Sequence, residues 1–187
     1  MAKIVVSQFM SLDGVVEDPG GSEGWDRGGW AFKYERGPEG DKFKLDELMA
    51  ADSLLLGRVT YGGFAEAWPS REGDFADKFN NMAKYVVSTT LEDPEWNNSH
   101  VIADNVVEEI GKLREQPGGD MLVNGSVTLC GTLIENNLVD EYRLMVYPLV
   151  LGGGKKLFPE TGKAAGLKLT SSQPAGETLI LTYEPAS

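Results

Sequence analysis

Two stretches of this sequence set a glycine between a short apolar run and a helix-compatible run, a pattern able to hold an anion. Ser53-Leu54-Leu55-Leu56 reads as a buried strand, Gly57-Arg58 as a turn, and Val59 to Trp68 as a helix that Pro69 stops. Asp120 to Asn124 reads as a second strand, Gly125-Ser126 as its turn, and Val127 to Asn136 as the helix that follows. A strand that passes through a glycine turn into a helix presents unpaired backbone N–H groups and the positive end of the helix dipole. Arg58 adds a guanidinium that can grip a phosphate with two hydrogen bonds, and Thr60 adds a hydroxyl. Ser126 is the expected N-cap of the second helix, with Leu129, Leu133 and Ile134 as its buried stripe. Two such corners in one small chain suggest a long anionic ligand with phosphates at more than one place, as in a dinucleotide. The competing role of either glycine is the tight turn alone. Neither G-x-G-x-x-G after a strand nor G-x-x-x-x-G-K-[ST] is present.

Composition narrows the partners. The chain has 187 residues, a length that fits one domain with a real core. Its net charge of −12 opposes nucleic acid and anionic membranes at long range. An anionic ligand must therefore be held by local positive features, which raises the weight of Arg58 and the helix N-termini. The single cysteine, Cys130, excludes an internal disulfide and reads as a small core residue. With one cysteine and one histidine, His100, the chain is not expected to build a zinc site or a His-based nucleophilic triad. No metal is expected. No apolar run is long enough for a signal peptide or a membrane span, so a cytoplasmic location is expected.

The remaining elements must position these corners. Lys3 to Met10 is a nearly continuous apolar strand, ended by Ser11-Leu12-Asp13-Gly14. Asp13 is placed either to cap that turn or to face a ligand. Val15 to Gly40 is rich in glycine and acidic residues, with Trp25, Trp30, Phe32 and Tyr34 interspersed. It reads as a flap able to close over a flat ligand, or as a loop that its aromatics pin down. Helical spacing covers Asp41 to Ala50 and Ser70 to Ala83. Lys84 to Ser88 is a strand followed by Ser88-Thr89-Thr90, and Val101-Ile102 is a shorter one. Asn105-Val106-Val107-Glu108 has the form of a capping box. Tyr142 to Tyr147 is a strand, and Gly152-Gly153-Gly154-Lys155-Lys156 is either a third anion loop or a glycine turn with solvated lysines. Leu167 to Ser171 and Thr178 to Tyr183 close the chain, with Pro174-Ala175-Gly176 as the turn. Strands alternating with helices, then strands alone, define an α/β fold with a mostly parallel central sheet, flanking helices and an antiparallel C-terminal hairpin. Asp13, Gly57-Arg58, Ser88 and Asn124-Gly125 all fall at the carboxyl ends of strands, where such sheets bind ligands.

Several of these stretches, in order, carry a family resemblance. Leu55-Leu56-Gly57-Arg58-Val59-Thr60-Tyr61 with Trp68-Pro69 resembles the cofactor-arginine segment of the dihydrofolate reductase superfamily. Ser11-Leu12-Asp13-Gly14, Val86-Val87-Ser88-Thr89-Thr90, Val123-Asn124-Gly125-Ser126 and Asp140-Glu141-Tyr142-Arg143 running to Pro148-Leu149-Val150-Leu151-Gly152-Gly153-Gly154 fit as well. The set looks more like the reductase domain of bacterial riboflavin-biosynthesis deaminase-reductases than like folate reductase. The resemblance implies one dihydrofolate-reductase-like domain over residues 1–187, working as a homodimer. It implies hydride transfer from NADPH, with NADH not excluded, to a small heterocycle or imine that is pterin-like or ribitylamino-pyrimidine-like. It implies cofactor contacts at Gly57, Arg58 and Thr60, at Ser88 and Thr89 for the adenosine ribose or 2′-phosphate, and at Asn124, Gly125, Ser126, Val127 and Thr128 for the pyrophosphate. Asp13, beside the nicotinamide, and Asp41, closest to the acidic position of folate reductases, become the candidate catalytic and substrate-binding acids. Trp25, in the flap, joins them as a substrate contact. The alternative is a module that keeps the fold and binds a nucleotide or other ligand without turnover.

Overall fold

The computed structural model describes residues 1–158, 160 and 164–186. Eight strands form one sheet in the order β4-β3-β2-β5-β1-β6-β8-β7. They are β1 (Ile4–Ser11), β2 (Ala51–Gly57), β3 (Ala83–Val87), β4 (Ser99–Ile102), β5 (Asp120–Asn124), β6 (Glu141–Tyr147), β7 (Leu167–Ala175) and β8 (Thr178–Pro185). The first six run parallel, while β8 pairs antiparallel with β6 and β7 antiparallel with β8. The mostly parallel sheet and the antiparallel C-terminal hairpin are therefore as the sequence implies.

The strands near the middle are apolar because helices cover both faces. Ile4, Val5 and Val6 of β1 and Leu54, Leu55 and Leu56 of β2 are fully buried. Ile4, Val6, Leu55 and Val123 pack on α4 (Val106–Glu115) and α5 (Val127–Glu135) through Ile110, Leu129, Cys130 and Leu133. Val5, Leu54, Leu56 and Leu122 pack on α1 (Gly37–Ala50), α2 (Arg58–Ala67) and α3 (Asp74–Asn81) through Leu48, Tyr61 and Phe79. Cys130 is thus the core residue its neighbours suggest.

Boundaries shift where local chemistry differs from the sequence pattern. α1 starts before Asp41, at Gly37, because Pro38 is tolerated in a first helical turn. α3 starts at Asp74 rather than Ser70, after Gly73 at φ 101°. Asn105 precedes α4 in the left-handed region and makes no capping bond, so the expected capping box does not form. The C-terminal turn is Gly176-Glu177, and Pro174 lies within β7, paired with Leu179. β7 is the outermost strand, the position where a sheet accepts a residue without an N–H.

Residues 15–36 form a packed loop with a short 3₁₀ helix at Trp30–Lys33, anchored by aromatics. The Trp30 side chain is fully buried, its indole N–H donating to the Glu17 carbonyl at 2.9 Å. The ring meets Tyr147 edge-on at 5.4 Å, and Phe9 meets Tyr147 likewise at 5.5 Å. Trp25 is half-buried in the same cluster, while Phe32 stays exposed. Of the two readings of this stretch, the pinned loop describes this conformation.

Candidate functional site

The two glycine corners stand side by side because β2 and β5 are neighbours in the sheet. They are tied together by side chains. The Gly57 N–H donates to Ser126 Oγ at 2.7 Å, and the Ser126 N–H donates to Thr60 Oγ1 at 2.9 Å. Ser126 occupies the N-cap position of α5 as its place in the sequence suggests, but its hydroxyl accepts across the gap and makes no capping bond to the helix. No side chain caps α2 either. Both helices thus direct first-turn N–H groups and dipole ends of about half a positive charge into one space.

Gly125 is needed there for two reasons. Its φ is 65°, in the left-handed region, and a Cβ on it would lie 3.0 Å from Thr60 Oγ1. Its carbonyl is held from below, accepting from Gln8 Nε2 at 2.8 Å and from the Cys130 thiol at 3.4 Å. Gln8 is a buried polar residue of β1 that sequence reasoning did not single out. It was hidden because a lone amide inside an apolar strand carries no motif.

A cavity of about 320 Å³ opens over these corners. Gly57, Arg58, Thr60, Gly125, Ser126, Val127 and Thr128 line it together. Arg58 is exposed and makes no salt bridge among the described residues, so its guanidinium is available to a ligand. Val16, Glu23, Val87, Val106 and Lys155 complete much of the wall. Lys155 comes from the glycine-lysine run whose anion-loop reading was one of two. Glu23 had no sequence signal.

The other candidate residues are placed differently. Asn124 ends β5 one residue short of the cavity wall. Ser88 Oγ accepts the N–H groups of Thr90 at 3.1 Å and Leu91 at 3.0 Å, which makes a local turn, with Thr89 exposed beside it. Val87, one residue earlier, lines the cavity. Asp41 accepts from Arg36 Nε at 2.6 Å on an exposed helix face, and it does not line the cavity. The Trp25 ring lies against Gly154, outside the cavity wall.

Asp13 clamps two loops. It accepts the Ser11 hydroxyl at 2.6 Å, the Leu151 N–H at 3.1 Å and the Gly152 N–H at 2.9 Å. The Ser11 hydroxyl, with help from those backbone N–H groups, lowers its pKa to about 2. A folded value below the ordinary one of 3.8 means that Asp13 supports the fold at neutral pH. That support fades as pH falls from the ordinary carboxylate range toward 2. Thermal melts between pH 6 and pH 2.5 should show Asp13→Asn losing less stability over that range than the parent. Equal losses would mean that the clamp contributes nothing to acid sensitivity.

A mostly parallel sheet with an antiparallel edge and a cleft at its strand ends is the architecture of the dihydrofolate-reductase-like fold. Solved structures share this fold. A Shewanella sp. PV-4 protein, provisionally assigned by name to riboflavin biosynthesis, superposes with a TM-score of 0.76 at 21% identity, covering 100% of both chains. Dihydrofolate reductase from Enterococcus faecalis, solved with NADP(H), gives 0.59 at 16% identity over 99% of this chain and 97% of that one. The chain belongs to the RibD C-terminal domain family, which matches residues 2–181, a family of reductase type. A relative in Bacillus subtilis (strain 168), the uncharacterized protein YyaP, is 30% identical over 176 residues, covering 91% of this chain and 88% of its own. Among the described residues no helix is long and apolar enough to cross a membrane.

Proposed function

We propose that residues 1–187 form a single cytoplasmic reductase domain that uses NADPH to reduce a small heterocyclic or imine substrate, pterin-like or ribitylamino-pyrimidine-like. The observation that carries this reading is the interlocked pair of corners, Gly57–Thr60 and Gly125–Thr128, with both helix N-termini uncapped and Arg58 beside them on one cavity. These groups suit a pyrophosphate, because two helices without side-chain caps and the Arg58 guanidinium line one cavity, and Gly125 lets the second corner pack against Thr60. Bound there, NADPH would supply the hydride; the chain supplies position and electrostatics. Thr60 and Ser126 hold the two corners at a constant spacing, and Arg58 neutralises phosphate charge. Ser88, whose hydroxyl proton has no acceptor among the described residues, can still donate to a ribose or 2′-phosphate with Thr89 beside it, while Asn124 stands at the end of β5 before the pyrophosphate corner. Val87 and Val106 offer an apolar wall to an adenine. Calorimetric titration tests the reading: NADPH should bind with micromolar affinity and NADH more weakly. Binding of neither would sink it.

A second reading, binding without turnover, is favoured by one observation. Asp13 is engaged with the Ser11 hydroxyl and loop N–H groups, and Asp41 is paired with Arg36 on an exposed helix face, so neither carboxyl lines the cavity in this conformation. NADPH oxidation in the presence of pterins and pyrimidines separates the two readings.

We also propose a homodimer formed through the β7–β8 edge. Leu167 to Pro174 of β7 are exposed on both faces, and Leu167, Leu169 and Leu179 are apolar. A long edge strand with leucines in water is an association surface. Light scattering should give twice the 20.3 kDa chain mass, and Leu169→Lys should return it toward the monomer. A monomeric parent would overturn the proposal.

A further inference from the structure

The cleft has two unlike ends. Its walls come from the carboxyl ends of β3, β2, β5, β1 and β6, or the segments that follow them, which are consecutive neighbours in the sheet, and from Val106 at the start of α4, which follows β4. Five strand ends span roughly 19 Å at about 4.8 Å per neighbour. The interlocked corners occupy the middle. The β3 end is apolar, with Val87 and Val106, and the β1–β6 end is charged, with Glu23 and Lys155. An adenine suits the first. The second suits a group rich in hydroxyls.

Resting on the dinucleotide reading above, we propose that Glu23 binds the nicotinamide half of the cofactor, its carboxylate accepting hydrogen bonds from that half's ribose hydroxyls. The loop that carries Glu23 is built to hold it there. Asp18, buried and at φ 43°, accepts the Glu23 N–H at 3.0 Å and the Trp25 N–H at 3.1 Å. Its carbonyl accepts from Gly29 at 2.9 Å, and the buried Trp30 follows at once. A loop ordered before binding spares the ligand that entropic cost. The Glu23 carboxylate itself makes no hydrogen bond or salt bridge among the described residues, although it lines the cavity. Burial, then the nearby Asp18 carboxylate, and more weakly Glu17, hold its pKa above the usual range, while Lys155 pulls the other way. Glu23 is exposed at the rim of the cavity, an acceptor-only group whose donors come from water and from no protein group among the described residues. A phosphate offers it none and would repel it. A vicinal diol offers two neutral donors, the pairing that acidic residues make with ribose in other dinucleotide sites.

The test compares NADPH with adenosine 2′,5′-bisphosphate, which lacks the nicotinamide riboside. Calorimetry on Glu23→Ala should show NADPH affinity falling roughly tenfold, with a smaller fall for Glu23→Gln. Affinity for the bisphosphate should stay within about twofold or tighten slightly as a negative charge leaves the cleft. NADPH affinity that is unchanged or tighter in Glu23→Ala overturns the proposal, as does an equal loss for both probes. Parent protein that binds neither probe removes the dinucleotide reading, and the role of Glu23 with it. Parent protein that binds both, with no difference in the variants, removes the Glu23 role alone. Circular dichroism and the melting temperature should not move, because the side chain makes no internal bond among the described residues.

Discussion

Arg58→Ala should weaken NADPH binding by about 10- to 100-fold while leaving the fold intact. A charged hydrogen-bond pair contributes about 1.5–3 kcal/mol, and each 1.4 kcal/mol is tenfold in affinity. The loss is expected near the upper end because the rest of the protein works against the ligand. The chain carries −12, so its net field opposes the cofactor phosphates at long range, and the positive features lining the cleft are the helix N-termini, Arg58 and Lys155. Arg58 makes no salt bridge among the described residues, and its neighbour Val59 is 60% exposed. Removing it therefore leaves no internal partner unpaired, and the melting temperature should hold. Arg58→Lys should fall between, keeping the charge and losing the planar fork. Calorimetry with NADPH decides it. An affinity unchanged in Arg58→Ala would place the phosphates elsewhere and remove the cofactor reading of both corners.

The largest effect on stability should come from a lysine that has no part in the cleft. Lys84 of β3 is completely buried. Its ammonium donates to the carbonyls of Asn80 at 2.8 Å, Met82 at 2.8 Å and Asn97 at 2.9 Å. It lies 4.3 Å from the centroid of the Trp96 ring, and the Trp96 indole N–H is bonded to Asn80 Oδ1 at 2.8 Å. One cation thus joins the end of α3, the loop before β4 and the aromatic cluster beneath them. Lys84→Met keeps the volume and leaves three carbonyls without their donor. The expected cost is roughly 3–5 kcal/mol, measured by urea unfolding. A loss below about 1 kcal/mol would show that water replaces the ammonium in its cage.

Burial pushes the Lys84 pKa down to about 8 from the ordinary 10.5. Between those values the unfolded chain holds a proton that the folded chain has released. From this group, then, stability rises as pH climbs from about 8 toward 10.5, and Lys84→Met should lack that rise. At neutral pH the ammonium is charged and the cage is occupied.

Much of the architecture is legible in the sequence for a physical reason. A strand covered on both faces must be apolar throughout, so Ile4-Val5-Val6 and Leu54-Leu55-Leu56 announce themselves. A chain that leaves a strand through glycine into a helix leaves N–H groups unpaired, so Gly57-Arg58 and Gly125-Ser126 announce an anion-ready corner. The antiparallel ending follows from two late β-rich runs with no helix between them.

The sequence by itself determined the elements, the strand ends and the residue types gathered there. The tertiary structure alone decided how those types are used, because a hydroxyl or carboxylate bonds to whatever the sheet order brings within 3 Å. Adjacency of β2 and β5 turned Ser126 from a helix cap into a cross-link to Gly57, and Thr60 into its partner. The return of the chain after β6 set Leu151 and Gly152 against Asp13, so the acid at the β1 end became an ionised clamp. The same return brought Lys155 to the cleft wall, and the buried Asp18 holds the loop that carries Glu23 to the same wall. Apart from the Asp18–Glu23 bond within one loop, these contacts join residues too far apart in sequence to leave a local pattern. They exist because strands far apart in the chain are neighbours in the sheet.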